Sequence, residues 1–309
     1  MTRLFRGRHF LDLADFSKEE LLFLLDVAAD LKKRWLLGEC PKILEGKIVA
    51  LLFEKPSLRT RVSFEVATRQ LGGESFYLGP QEVGLGKREA VKDVALVLGR
   101  MVDAIVLRTF AHETVLEMAK YSSVPVINGL SDLHHPCQVL GDLFTILEKK
   151  GTLNVKIAFI GDGNNVCHSW IVAAARLGLF LVVSTPERYK PSQCIWDWAQ
   201  EEAKKSGAEI LYEPDPRKAV QSVDVIYTDV WASMGKEGEL EERIPFFLPY
   251  QVNEDLLAFA SSEVMVMHCM PAHRGQEITD GVIDGPHSVV IDEAENRLHA
   301  QKAILSLLL

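Results

Sequence analysis

Little in this sequence points to a metal scaffold, a nucleic acid or a membrane. The 309 residues include only five cysteines: Cys40, Cys137, Cys167, Cys194 and Cys269. The number is odd, and no two of them form a C-x-x-C pair. That pattern argues against a disulfide framework and against a zinc ribbon. Most read as small apolar fillers. Basic charge is also scarce, with 34 Lys and Arg against 43 Asp and Glu, a net charge of −9. Bulk electrostatics therefore give no reason to expect nucleic-acid binding. No apolar run reaches bilayer length; the stretch 179–183 is strand-sized. Asp12, Asp15 and Glu19 interrupt any apolar core near the start, so the expectation is a cytoplasmic protein with no membrane partner. Solenoid repeats and low-complexity tracts are missing too.

What is present is an ordinary globular balance, 48% hydrophobic and 25% charged, in a length that suits two domains. Apolar runs of strand length alternate with segments of helical period along the whole chain. Strands are expected at 47–53, 74–78, 103–107 and 124–127, with helices from Ser17 to about Lys33, at 62–71, 89–101 and 112–121, and from Pro136 to about Lys150. Loops are expected at 79–87 and 131–135. Gly151 and Asn154 mark a boundary, after which the alternation resumes. Strands are then expected at 156–160, 179–184, 209–212, 224–229 and 264–268. A long loop is expected at 231–249, and a closing helix from Asp292. This predicts an α/β fold of two domains, each a mainly parallel sheet flanked by helices. The first comprises residues 1–150 plus the helix at about 292–309; the second comprises 151–291.

The chain is organised around Phe53-Glu54-Lys55-Pro56-Ser57-Leu58-Arg59-Thr60-Arg61. Ser57 suits a helix N-cap. A helix start offers free N–H groups and the positive end of a dipole, and here two hydroxyls and two guanidinium groups, Arg59 and Arg61, are added. That combination grips a phosphate without a metal. The Gly-Lys-Ser/Thr ending of a Walker loop is missing. The plain alternative is a capped helix with exposed arginines.

Other noteworthy residues fall after strands, where open parallel sheets bind ligands. Arg108 ends one strand. His134-His135-Pro136-Cys137-Gln138 opens a helix, and reads either as a capped start with a solvated histidine or as an imidazole and an amide aimed at a carbonyl group. The paired histidines suggest metal, but no carboxylate cluster accompanies them in sequence. Gly161-Asp162-Gly163-Asn164-Asn165 follows a strand like a dinucleotide fingerprint, yet Val166 stands where the third glycine belongs and no acidic residue ends the next strand. A nicotinamide dehydrogenase is therefore the remote alternative. Asp229-Val230-Trp231-Ala232-Ser233-Met234-Gly235 pairs a strand-end carboxylate, fit for an ammonium group, with a serine and a glycine. His268-Cys269-Met270-Pro271-Ala272-His273 lacks further ligands at zinc spacing.

In order and spacing, these motifs resemble the ornithine branch of the aspartate and ornithine carbamoyltransferase family. The resemblance rests on Ser57-x-Arg59-Thr60-Arg61, His135-Pro136-x-Gln138, the Gly161–Asn165 turn, Asp229-x-x-x-Ser233-Met234-Gly235, His268-Cys269-Met270-Pro271 and Asp292-Glu293-Ala294-Glu295-Asn296-Arg297. Met270 stands where the family has leucine, a volume-conserving swap. Leu58 stands where many members have a second hydroxyl.

The resemblance implies transfer of a carbamoyl group from carbamoyl phosphate to the δ-amine of L-ornithine, giving L-citrulline and phosphate, in a cleft between the two domains. It implies that Ser57, Leu58, Arg59, Thr60, Gln81, Arg108, His135, Gln138, Cys269, Met270 and Arg297 bind carbamoyl phosphate, with Gln81 lent to a neighbouring subunit's site. Asn165, Asp229, Ser233 and Met234 would bind ornithine. Arg59, Arg108, His135 and Cys269 would be catalytic, with Cys269 orienting the amine. A cis bond before Pro271, no metal or organic cofactor, domain closure on binding, and a homotrimer or multiple of trimers are implied as well. Another acceptor amine, such as putrescine or an acylated ornithine, is the nearest alternative.

Overall fold

Ser17 caps the helix Lys18–Leu36: its hydroxyl accepts the Glu20 N–H while the Glu20 carboxylate accepts the Ser17 N–H. Beyond it the chain alternates strand and helix, and the computed structural model describes residues 2–233, 235 and 237–309. The residues divide into two compact units, 1–144 with 295–309, and 145–294. Both divisions fall inside helices, Pro136–Lys150 and Val290–Leu308.

In the first unit, β1 (Ile48–Phe53), β2 (Glu74–Leu78), β3 (Ala104–Arg108) and β4 (Val126–Leu130) form a sheet in the order β2-β1-β3-β4. Every pairing is parallel. β1 and β3 are buried almost throughout, as continuous apolar runs covered on both faces must be. Each Val, Leu or Ile so buried contributes about 1.5–3 kcal/mol. Chain order reverses beside β1, where β2 lies to one side and β3 to the other. That is the topological switch point, at which open parallel sheets bind ligands beyond their carboxyl ends.

The second unit repeats the plan. β5 (Lys156–Ile160), β6 (Phe180–Ser184), β7 (Glu209–Tyr212), β8 (Val225–Thr228) and β9 (Met265–His268) lie in the order β7-β6-β5-β8-β9, all parallel. Its switch point is at β5, between β6 and β8. The apolar core on one face, including Ala158, Ile226, Val252, Val266 and Ile283, fixes the sheet against its helices.

Several expectations need correction. β4 does not stop at Ile127 but continues through Asn128 and Gly129 to Leu130. The register slips there, because Leu107 pairs with Asn128 while Arg108 pairs with Leu130. Gly129 is the extra residue of this bulge. A Cβ on it would meet Val106 Cγ1 at 3.2 Å and the Leu107 carbonyl at 3.3 Å. The expected loop at 79–87 contains the short helix Pro80–Val83. The expected loop at 231–249 contains the helix Leu240–Phe247, which accommodates Pro245 and carries Glu241 and Glu242 in its first turn. The short helices Thr2–Phe5 and Asp280–Ile283 gave no periodic signal. No helix among the described residues is long and apolar enough to cross a membrane.

Candidate active site

The switch point of the first unit gathers cationic and hydroxyl groups. Ser57 has extended backbone and caps the helix Leu58–Gln70, its hydroxyl accepting the Thr60 N–H at 3.3 Å. This leaves the N–H groups of Leu58 and Arg59 at the positive end of the helix. The Leu58 side chain is exposed, so only its backbone can serve a ligand here. Thr60 is fully buried and its hydroxyl accepts from Arg297 Nη2 at 2.8 Å. Arg297 reaches it because Gly141 lets the closing helix approach: a Cβ at Gly141 would lie 3.0 Å from Arg297 Cγ and 3.2 Å from its Cα. Arg108 ends β3 at the bulge, buried, with its carbonyl accepting the Glu54 N–H at 2.7 Å. The Glu54 carboxylate accepts in turn from the Thr109 hydroxyl.

His135 follows β4 and is buried. Burial first, and then the Arg297 and Arg108 charges, hold its pKa well below the ordinary imidazole value. A neutral ring beside two guanidinium groups polarises a carbonyl by donating a hydrogen bond. Gln138 lies one turn on, its amide donating to Asp142 Oδ1 at 2.8 Å.

One expected residue does not join this cluster. Arg61 is committed elsewhere, with Nε 2.9 Å from Glu65 and the guanidinium 4.1 Å from the Tyr77 ring centroid. It braces the helix against β2 and is not a second phosphate ligand. Gln81, expected to serve a neighbouring subunit's site, is exposed on the short helix Pro80–Val83 after edge strand β2.

The second unit presents a carboxylate and a thiol. Asp229 follows β8. Its Oδ1 accepts from the Val230 N–H and from the Cys269 thiol, each at 2.8 Å, and its Oδ2 accepts from Asn164 Nδ2 at 2.7 Å. Asn164 also caps the helix Asn165–Leu177, with Oδ1 accepting the N–H groups of Val166 and Cys167. Through its bond to Asp229 it joins this group of residues, which the Gly161–Asn165 turn signals in sequence. Asn165 is buried beside it, with Oδ1 3.1 Å from the Val166 nitrogen. Ser233 is half-buried after Trp231, and Met234 lies outside the described residues.

Behind Cys269 stands a buried pair that sequence reasoning missed. His268 Nδ1 accepts the Met270 N–H at 2.8 Å, so the ring's proton sits on Nε2, 3.0 Å from Glu277 Oε1. The His268 backbone N–H donates to Glu293 Oε2 at 2.9 Å. These bonds fix the turn at Met270, which has φ +53° and a cis bond to Pro271. Asp229, His268 and Cys269 offer ligand atoms within 4.8 Å of one another. Both His268 ring nitrogens already have partners, which leaves that cluster short as a metal site.

The loop after Asp229 is clasped by Arg243. Its Nη1 donates to the Trp231 carbonyl at 2.9 Å and lies 3.1 Å from Asp162 Oδ2, while Nη2 lies 2.8 Å from Glu239. The Tyr189 ring centroid is 4.6 Å from the guanidinium carbon.

The glycines of the Gly161–Asn165 turn do not make a pyrophosphate cradle. A Cβ on Gly163 would lie 2.3 Å from Pro191 N and 2.6 Å from the Tyr189 carbonyl. The chain's own 189–191 segment fills the space that a dinucleotide needs at the second glycine, which removes the dehydrogenase alternative.

One parallel-sheet unit offers guanidinium groups with a neutral imidazole, and the other offers a carboxylate with a thiol, residue types that suit group transfer. The chain belongs to the aspartate/ornithine carbamoyltransferase family: residues 8–148 match its carbamoyl-P binding domain and residues 153–308 its Asp/Orn binding domain. The ornithine carbamoyltransferase of Pyrococcus horikoshii is 55% identical over 98% of this chain and 96% of its own. The anabolic enzyme of Pyrococcus furiosus is 53% identical over the same shares. Among solved structures, ornithine carbamoyltransferase from P. furiosus matches with TM-score 0.95, covering 98% of this chain and 97% of that one at 53% identity. That from Campylobacter jejuni matches with TM-score 0.92 at 45% identity, covering 96% and 97%.

Proposed function

We propose that the protein transfers the carbamoyl group of carbamoyl phosphate to the δ-amine of L-ornithine, giving L-citrulline and phosphate. The observation that carries this reading is the Asp229–Cys269 hydrogen bond at the ends of adjacent strands, in a chain whose full-length relatives are named for ornithine. A carboxylate held beside a thiol suits an amino acid with two amines: Asp229 keeps lone pairs for an ammonium group, and Cys269 directs the uncharged amine.

In this reading the N–H groups of Leu58 and Arg59, with Ser57, Arg59, Thr60 and Arg297, hold the phosphate. Arg108, His135 and Gln138 meet the carbamoyl oxygen and nitrogen, and Met270 and Cys269 are the second unit's contacts to the same substrate. Negative charge grows on the carbonyl oxygen as the amine attacks and on the phosphate as it leaves, and fixed donors aimed at that charge supply most of the acceleration. Asn165, Asp229, Ser233 and Met234 hold the α-amino and carboxylate groups. Gln81, exposed on its short helix, serves the site of a neighbouring subunit in a cytoplasmic homotrimer. The naming of the P. furiosus relative as anabolic supports the citrulline-forming direction, in arginine biosynthesis.

The test supplies carbamoyl phosphate with ornithine, putrescine, acetylornithine or aspartate and measures ureido product and phosphate. Turnover with ornithine at least about 100-fold above the others, in kcat/KM, is expected. Preference for putrescine or acetylornithine would overturn the acceptor assignment.

A further inference from the structure

A second cluster of polar side chains lies under the loop that carries His135, and the proposed function uses none of it. Ser131 is its hub. The Ser131 N–H donates to the His134 carbonyl at 2.9 Å, and its hydroxyl accepts the His134 N–H at 3.2 Å, closing a tight turn immediately before His135. The same hydroxyl lies 2.9 Å from His112 Nδ1. The His112 N–H donates to Asp132 Oδ1 at 2.9 Å. His112 and His134 stack edge to face, with centroids 5.2 Å apart.

The far side of the turn is held by the N-terminal segment. His134 Nε2 lies 3.4 Å from Asp12 Oδ2, both groups largely buried. Asp12 is itself fixed: its Oδ1 accepts the Leu13 N–H at 2.7 Å and its own N–H donates to the Asp15 carboxylate at 3.2 Å. The segment is tied to β4, since Phe10 N–H donates to the Val126 carbonyl and Asn128 N–H to the Phe10 carbonyl, at 2.9 and 2.8 Å. Asn128 Nδ2 donates to the Leu11 carbonyl at 3.0 Å.

We propose that Asp12 and His134 are positioning residues for the reaction, holding the 131–134 turn so that the neighbouring His135 meets the carbamoyl group. His134 contacts Asp12, and its influence passes through the backbone it shares with His135. This rests on His135 acting on the carbamoyl group. The phosphate is held by other elements, the 57–60 turn and Arg297. Loosening the turn therefore acts on kcat and leaves carbamoyl-phosphate binding nearly intact.

The experiment compares His134→Leu, Asp12→Ala, the double variant, His134→Gln and His135→Ala by steady-state kinetics and thermal unfolding. His134→Leu and Asp12→Ala each lower kcat about tenfold, with KM for carbamoyl phosphate within about twofold. The double variant falls no further than the lower single, because both break one contact. His134→Gln, which keeps a side-chain N–H for Asp12, recovers most of kcat. If His134→Leu lowers only the melting temperature, or if Gln fails to rescue a folded protein, the inference is overturned. If His135→Ala leaves kcat unchanged, the role of His135 itself fails, which is a distinct result.

Discussion

Cys269 donates its thiol hydrogen to Asp229 Oδ1 at 2.8 Å, across the carboxyl ends of neighbouring strands β9 and β8. A thiol so engaged is a directional polar group and not a free nucleophile. Cys269→Ser retains a hydroxyl that can make the same bond. It is expected to keep turnover reduced about 10- to 100-fold, with sequential kinetics in both parent and variant. Ping-pong kinetics in the parent, or a carbamoylated enzyme found by mass spectrometry, would count against an orienting role.

Arg59 is the second residue of the helix Leu58–Gln70, in the turn proposed to hold the phosphate. A guanidinium there gains most as charge moves onto the departing phosphate. Arg59→Ala should lower kcat about 100- to 1,000-fold, a larger factor than its effect on KM for carbamoyl phosphate. An unchanged kcat with raised KM assigns Arg59 to ground-state binding instead.

The architecture was legible because parallel strands buried on both faces must be apolar runs, and the central strands β1, β3, β5 and β8 read that way. Residues at strand ends were legible too, since Arg108, His135, Asp229 and Cys269 follow directly from where those runs stop. What stayed hidden depends on contacts across long separations. Arg61 looked equivalent to Arg59 until Tyr77, 16 positions on, was found to hold it. The bond from His134 to Asp12 gives no local signal, because Asp12 is 122 positions away. Glu277, 0% exposed, carries no local signal of burial and is recognisable only through its bond to His268. The helix Leu240–Phe247 was hidden by Pro245, a breaker by local rule that the fold tolerates.

His135 and His112 both have pKa values depressed from 6.5, chiefly by burial. Protonation is therefore easier in the unfolded chain than in the folded one. Their stabilising contribution is complete above pH 6.5 and is lost as pH falls below it, since the unfolded state then binds more protons. Denaturant unfolding should give a lower free energy at pH 5 than at pH 7.5, with the difference reduced in His135→Asn. An equal loss in His135→Asn would assign the acid sensitivity to other groups. Activity should likewise persist below pH 6.5, because the folded ring stays neutral there.

Arg243 joins the Trp231 carbonyl to Asp162, and so joins the loop bearing Ser233 to the turn bearing Asn164. Arg243→Gln removes the charge and leaves Asp162 buried without its ion partner, a change that costs about 3–5 kcal/mol in such settings. The expected signature is a raised KM for ornithine, about tenfold or more, with carbamoyl-phosphate binding unchanged. Isothermal titration with each substrate separates the two effects. Weakened carbamoyl-phosphate binding with intact ornithine binding would contradict the assignment.

Gly163 donates its N–H to the Tyr189 carbonyl at 3.0 Å, and the backbone at 189–191 packs where a side chain would start. A methyl group 2.3 Å from Pro191 N cannot be absorbed by rotating a flexible side chain, because its neighbours are main chain. Gly163→Ala must push the 189–191 segment outward. Tyr189 would move with it, and Tyr189 carries the ring beside Arg243. The variant should lose about 1–3 kcal/mol of stability, as overpacked sites do, and show a raised KM for ornithine through Arg243. The same crowding predicts that NADH fluorescence does not change on titration with the parent protein. Saturable enhancement would mean that the turn opens to a dinucleotide after all, and an unaltered melting temperature in Gly163→Ala would mean that the backbone contact is looser than its distances imply.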